Sequence, residues 1–251
     1  MKDTDLKKIV RQLKDDTNYY GNMGKQFLSN SDIQHLLYNP QDFQKSIDDD
    51  KNLMMGRYFH QSFLEKDKAK DFPILDTSSR RTKEYKEYIQ NNDVPFVLLS
   101  SEAKEVDNMY ASMNSNLKFY DLINAENNQT EVPMVKDILQ SGLFWKGKAD
   151  IIHDDYVIDL KTTSSLKDFP RSVRSFNYDS QAFIYRELFG KDMLFLVVDK
   201  KTYQLGLFPC SEALYERGHH KVQKAEEQYQ KFFGDNATED VQNYFHYEIL
   251  Y

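Results

Sequence analysis

The most constraining feature of this sequence is a pair of short apolar segments that carry charges in their interiors. They are Gly147-Lys148-Ala149-Asp150-Ile151-Ile152 and Tyr156-Val157-Ile158-Asp159-Leu160-Lys161-Thr162-Thr163, joined by His153-Asp154-Asp155. Strand side chains alternate faces, so Val157, Asp159 and Lys161 share one face while Ile158 and Leu160 share the other. An acid and a lysine inside an apolar strand must be paired or put to use, because an unpaired buried charge is costly. If Asp154-Asp155 is a two-residue turn, Asp150 falls opposite Asp159, with Cβ atoms about 4.5–5.5 Å apart. Two carboxylates at that spacing repel unless a cation lies between them, and hard divalent ions such as Mg²⁺ or Mn²⁺ take oxygen ligands of this kind. A neighbouring lysine can orient a water or face the negative charge of a phosphate. The competing account is a surface hairpin with a plain ion pair, since Asp-Asp is not the favoured hairpin turn.

The remaining sequence supplies helices to cover such a hairpin. Residues 1–28 are polar with scattered apolar positions and read as a loosely attached N-terminal arm, leaving 29–251 as one domain. A short capped helix is expected over 31–37, stopped by Asn39-Pro40. Helical spacing recurs over 51–66, 80–90 and 101–126, with a charged surface loop over 67–79. From residue 129 the period changes to that of strands, over 129–138, 143–152 and 156–162. An amphipathic helix over 179–189, strands over 193–198 and 203–208, and a polar helix over 211–233 complete the chain. Helices, a hairpin, a helix and two more strands make an α/β or α+β sheet with helices packed on it.

Composition removes several classes. The chain has 251 residues, enough to bury a sizeable core. Its one cysteine, Cys210, excludes an intrachain disulfide scaffold, a four-cysteine zinc site and a cysteine-ligated iron–sulfur cluster. No apolar run approaches the ~20 residues of a membrane span, and the first residues lack an apolar signal core, so a cytoplasmic protein is expected. The net charge of -7 argues against a protein that coats nucleic acid through bulk positive charge. The acidity is uneven, however. Residues 211–251 hold eight acids against four bases, whereas residues 141–190 hold seven of each, including Asp150 and Asp159.

Six segments, in order, resemble one family. They are Met55-Gly56-Arg57-Tyr58-Phe59-His60 running on to Leu64-Glu65, Ser79-Arg80-Arg81-Thr82 with Lys86, Thr130-Glu131-Val132, Gly147-Lys148-Ala149-Asp150, Ile158-Asp159-Leu160-Lys161-Thr162-Thr163, and Tyr178-Asp179-Ser180-Gln181 running on to Tyr185. Together they resemble the PD-(D/E)xK nuclease superfamily, and within it the RecE-type (exodeoxyribonuclease VIII-like) and phage recombination exonuclease branch. Two positions depart from that pattern: Lys148 stands where arginine is usual and Ala149 where proline is usual.

The resemblance implies a restriction-endonuclease-like α/β core, a central mixed β-sheet flanked by helices. It implies that His60, Asp150, Asp159 and the Leu160 carbonyl bind the metal, Mg²⁺ or Mn²⁺, with two ions expected and no iron–sulfur cluster. Lys161, Glu131 and Gln181 would be the catalytic side chains around the attacking water. Arg80, Arg81, Arg171, Arg174 and Tyr185 would contact DNA. Gly56, one helical turn before His60, would let its helix approach the sheet. The implied activity is exonucleolytic resection of linear double-stranded DNA ends for phage-type homologous recombination. Its partners would be DNA ends, a single-strand annealing protein and further copies of the chain in a ring trimer or tetramer, with no membrane. Two other readings stay open: a restriction or defence endonuclease on the same fold, and a non-catalytic DNA-binding or assembly protein.

Overall fold

The computed structural model describes residues 3–45 and 50–245. The helical half comes first: α1 (Asp3–Gln12), α2 (Asp16–Tyr20), α3 (Asn30–Tyr38), α4 (Lys51–Leu64) and α5 (Lys66–Lys70). Local signals set several of these boundaries. The Asp15 carboxylate accepts from Thr17 and Asn18 N–H to start α2, Asp50 accepts from Leu53 N–H at 2.8 Å to start α4, and Asn39 closes α3 just before Pro40. The segment read as a surface loop is partly ordered: it contains α5 and a two-residue strand, β1 (Ile74–Leu75). After α6 (Lys83–Asn92), β1 pairs in parallel with β2 (Leu98–Leu99). The single helix expected over 101–126 is two, α7 (Ser100–Ser115) and α8 (Leu117–Ile123). Asn116 divides them because its side chain caps α8 through Phe119 N–H at 3.2 Å.

The second half is the sheet: β3 (Gln129–Lys136), β4 (Trp145–Ile152), β5 (Tyr156–Thr163), α9 (Phe169–Ser175), α10 (Tyr178–Phe189), β6 (Asp192–Asp199), β7 (Leu205–Pro209) and α11 (Glu212–Phe232). The strands lie in the order β3-β4-β5-β6-β7 and the sheet is mixed, since β5 and β6 run parallel while the other neighbours are antiparallel. A parallel pair needs a crossover, and α9 and α10 provide it. Ile151, Ile158, Leu160, Leu194 and Leu196 pack with α4, α7 and α8 on one face. Ala149, Val157, Phe195 and Val197 pack with α9, α10 and the start of α11 on the other. Among the described residues no helix is long and apolar enough to cross a membrane.

The N-terminal residues are not loosely attached. Leu13 is fully buried and clusters with Tyr19, Phe27 and Val135 of β3. Leu28 donates to Phe144 O at 2.9 Å and accepts from Lys146 N–H at 2.7 Å, so the segment is tied to the start of β4 through the backbone. The polar appearance of the segment hides seven apolar residues, Leu6, Ile9, Val10, Leu13, Tyr19, Met23 and Phe27, that gather in one cluster.

The hairpin has the register expected from a two-residue turn. Ile152 pairs with Val157 and Ile151 with Ile158, and His153 N–H donates to Tyr156 O at 2.9 Å. The ladder then stops. Asp150 and Asp159 stand next in line but form no regular pair, and β3 likewise skips the Glu131–Asp150 pair between Thr130–Ile151 and Val132–Ala149. Glu131 has φ 52, a left-handed conformation that is uncommon outside glycine. The alternation of β4 slips at the same place. Gly147 and Ala149 face α10, whereas Ile151 faces α4 and α7. Three acids on three adjacent strands therefore meet where the sheet opens.

Candidate active site

The opening in the sheet gathers the charged side chains singled out from the sequence. Asp150 and Asp159 are buried, at 8% and 3% exposure. Asp150 Oδ2 accepts from Leu160 N–H at 2.8 Å, a bond that replaces the missing strand pairing, and His60 Nδ1 from α4 lies 3.2 Å from the same oxygen. Asp159 Oδ1 accepts from Gln181 Nε2 of α10 at 2.6 Å. Lys161 Nζ lies 2.7 Å from Asp159 Oδ2, so the ammonium is the charged partner of that buried oxygen. Glu131 Oε2 lies 3.4 Å from Lys148 Nζ. The Leu160 side chain is fully buried in the core with α4, α7 and α8.

Burial and mutual repulsion set the protonation of these groups. Burial raises the Glu131 carboxyl and the Asp150 charge adds to it, to about 7. Burial and the Asp150 charge also hold Asp159 above its ordinary value, against the pull of Lys161. Asp150 is itself held low, because His60, Lys161 and the Leu160 N–H together outweigh its burial. His60 and Lys161 are held up, since the carboxylates beside them outweigh burial.

Among the described residues no three His, Cys, Asp or Glu side chains close into a ready-made metal cluster, because Asp150 is turned to His60 and Asp159 to Gln181 and Lys161. The donor chemistry nonetheless fits a hard divalent cation: two buried carboxylates and a third across the split. Asp150, Asp159, the Leu160 carbonyl and His60 are the groups that would hold it.

The expected DNA contacts divide. Arg80 is committed elsewhere: its guanidinium forks onto Glu102 at 2.8 and 2.6 Å and lies 4.3 Å over the Phe96 ring. It braces the N-terminus of α7 and is not free to meet a phosphate. Tyr185 is turned inward, its hydroxyl donating to Lys148 O at 3.0 Å. Its ring edge and Leu188 lie where a Cβ on Gly147 would go, 3.0 and 2.7 Å away. This explains the glycine before Asp150: β4 and α10 touch there. Gly56 has no such role, since a Cβ on it meets nothing within 4 Å, so α4 approaches the sheet through Phe59 and Phe63 instead. Arg81, Arg171 and Arg174 are exposed.

Three neighbours escaped sequence reasoning. The Tyr178 ring lies 4.7 Å from Lys161 Nζ and flanks the lysine opposite Asp159. Lys148, noted only as a departure from a motif, faces Glu131 and is bound by Asp16 of α2. Asp16 also meets Lys68 at 2.7 Å, so the N-terminal segment reaches the rim of the site. The available signal was a second lysine in an apolar strand, two residues before Asp150.

A crystal structure of a candidate exonuclease from Eubacterium rectale is similar in fold, with a TM-score of 0.58 at 15% identity over 93% of this chain and 94% of that one. The structure of SSO0001 aligns more distantly, with a TM-score of 0.35 at 18% identity over 70% of this chain and 86% of that one. No curated protein sequence matches. The profile of the PDDEXK-like domain of unknown function DUF3799 matches residues 23–238. With its mixed sheet split by Glu131, Asp150 and Asp159, this chain belongs to that PDDEXK-like family.

Proposed function

We propose that this chain is a divalent-metal-dependent deoxyribonuclease that digests linear double-stranded DNA from its ends. The observation that carries the reading is the row of Glu131, Asp150 and Asp159 at the split, with Lys161 buried among them. Hydrolysis of a phosphodiester needs an activated water, positive charge facing the developing phosphorane and a stabilised leaving oxygen. A bound Mg²⁺ or Mn²⁺, one ion or two, would supply the acidity that activates water. Lys161 orients that water and faces the phosphate, with its ammonium held between Asp159 and the Tyr178 ring. Gln181 fixes the Asp159 carboxylate through Oδ1 and leaves Oδ2 to Lys161. Glu131, with its carboxyl raised to about 7, holds or takes a proton near neutrality at the far side of Asp150. Arg81, Arg171 and Arg174 are the exposed cations available to the DNA backbone. By resemblance, the protein works as a ring-shaped homo-oligomer in phage-type recombination, beside a single-strand annealing protein.

The test is digestion of end-labelled linear duplex and of covalently closed circular DNA, with Mg²⁺ and with chelator. Expected is Mg²⁺-dependent loss of the linear substrate alone, reduced at least ~10³-fold in Asp159→Ala and Lys161→Ala. Cutting of the closed circle would make the protein an endonuclease on the same fold. Activity that persists in both variants would overturn the site assignment, and binding without cleavage would favour a non-catalytic DNA-binding role.

A further inference from the structure

The turn between α9 and α10 presents an aromatic ring that the proposed chemistry does not use. Phe176 is 63% exposed. The next residue, Asn177, has φ 56, a left-handed conformation that asparagine adopts more readily than most residues, and its partners fix it there. Asn177 is buried, its Nδ2 donates to Gln34 Oε1 at 3.0 Å, and its Oδ1 accepts from Lys221 Nζ at 2.8 Å. Phe176 is therefore held outward by a pinned turn. Its ring centroid lies 5.9 Å from that of Tyr178, whose ring in turn lies 4.7 Å from Lys161 Nζ. The two spacings put the Phe176 ring no more than about 11 Å from the ammonium, within reach of a nucleotide next to the one whose phosphate is cut. Arg171 and Arg174 are exposed on the same short helix just before it. An exposed ring that follows two exposed arginines and neighbours the tyrosine on a phosphate-handling lysine has the make-up of a platform for a nucleic-acid base.

We propose that Phe176 is a base-stacking residue of the substrate track, taking an unpaired base of the strand whose phosphate lies at Asp150 and Asp159. This inference rests on the nuclease reading and adds a substrate class to it. Bases inside a duplex already have both faces stacked, so the ring favours a frayed or single-stranded end over a blunt one. Arg171 and Arg174 would hold the backbone of the same strand while the ring holds its base.

The experiment uses the full chain carrying Asp159→Asn, so that DNA is bound without being cut, in the presence of Mg²⁺. Affinities for a blunt duplex, for the same duplex with a short single-stranded overhang, and for an oligothymidylate are read by fluorescence anisotropy. Expected is a roughly ten- to hundredfold weaker Kd of F176A for the overhang and the oligothymidylate, less than twofold change for the blunt duplex, and recovery in F176Y. In F176W the new indole is expected to be quenched on adding oligothymidylate. The native Trp145 is fully buried and provides a constant background. An F176A affinity for the overhang within twofold of the parent, or an unquenched F176W that still binds, overturns the proposal and leaves the nuclease reading intact. A parent that binds none of the three DNAs overturns both.

Discussion

Lys161 pairs with Asp159, its ammonium 2.7 Å from Oδ2, and both side chains are largely buried. Buried pairs of this kind are poor stabilisers, because desolvation offsets most of the attraction, but removing one partner strands the other. Lys161→Met is therefore expected to destabilise by roughly 3 kcal/mol, and Asp159→Asn/Lys161→Met to return to within ~1 kcal/mol of the parent. Urea denaturation of the two singles and the double checks this; a double variant whose loss equals the sum of the two single losses would show that the two side chains are not coupled. Strand alternation puts Asp159 and Lys161 on one face, and both meet the α9–α10 side of the sheet. Alternation carries no information on Tyr178, because a contact between a strand and the start of a helix seventeen residues later has no local signature.

At the scale of elements, two glycines in motif-like positions have opposite meanings. Gly147 lies where β4 meets α10, and a Cβ there would press on Leu188 and Tyr185. Gly147→Val is expected to cost about 2–3 kcal/mol by overpacking and to displace the strand that carries Asp150. Gly56 lies inside α4 with open space around it. Gly56→Ala is expected to stabilise by ~1 kcal/mol, because alanine loses less backbone entropy in a helix interior. Thermal melts of both variants decide the matter, and a destabilised Gly56→Ala would mean that α4 approaches another surface there. Helix spacing placed Gly56 and His60 on one side of α4, but spacing alone could not tell an inner side from an outer one.

For the whole molecule, the ion pair of Arg80 and Glu102 joins segments that are distant in sequence. Glu102 starts α7, accepts from Leu99 N–H at 3.0 Å, and lies 3.6 Å from Lys51 of α4. Burial acts to raise its carboxyl, but Arg80, the Leu99 N–H and Lys51 together hold it below its ordinary value of 4.5. The folded value lies below the unfolded one, so the unfolded chain binds the proton first. The contribution of the pair is present above pH ~4.5 and is lost as pH falls through the lower, folded value. Arg80→Met is expected to lower Tm at pH 6 and to lose that difference progressively below pH 4.5. A Tm gap that stays constant from pH 6 to pH 3 would show that Arg80 acts through packing on Phe96 alone.

The sequence by itself determined the strand alternation, the two-residue turn and the hairpin register, because these depend on residues near one another in the chain. It also pointed to the family, through six short segments in order. Only the tertiary structure decided that the ladder opens at Asp150, that Arg80 is tied to Glu102 and that Tyr185 is turned inward. It alone showed that the polar N-terminal residues bury Leu13 and reach Lys148 through Asp16. Each of these outcomes depends on which distant surface a side chain meets. Local pattern and propensity carry no record of that choice, because burial and charge pairing between separate segments are settled only when the whole sheet and its helices assemble.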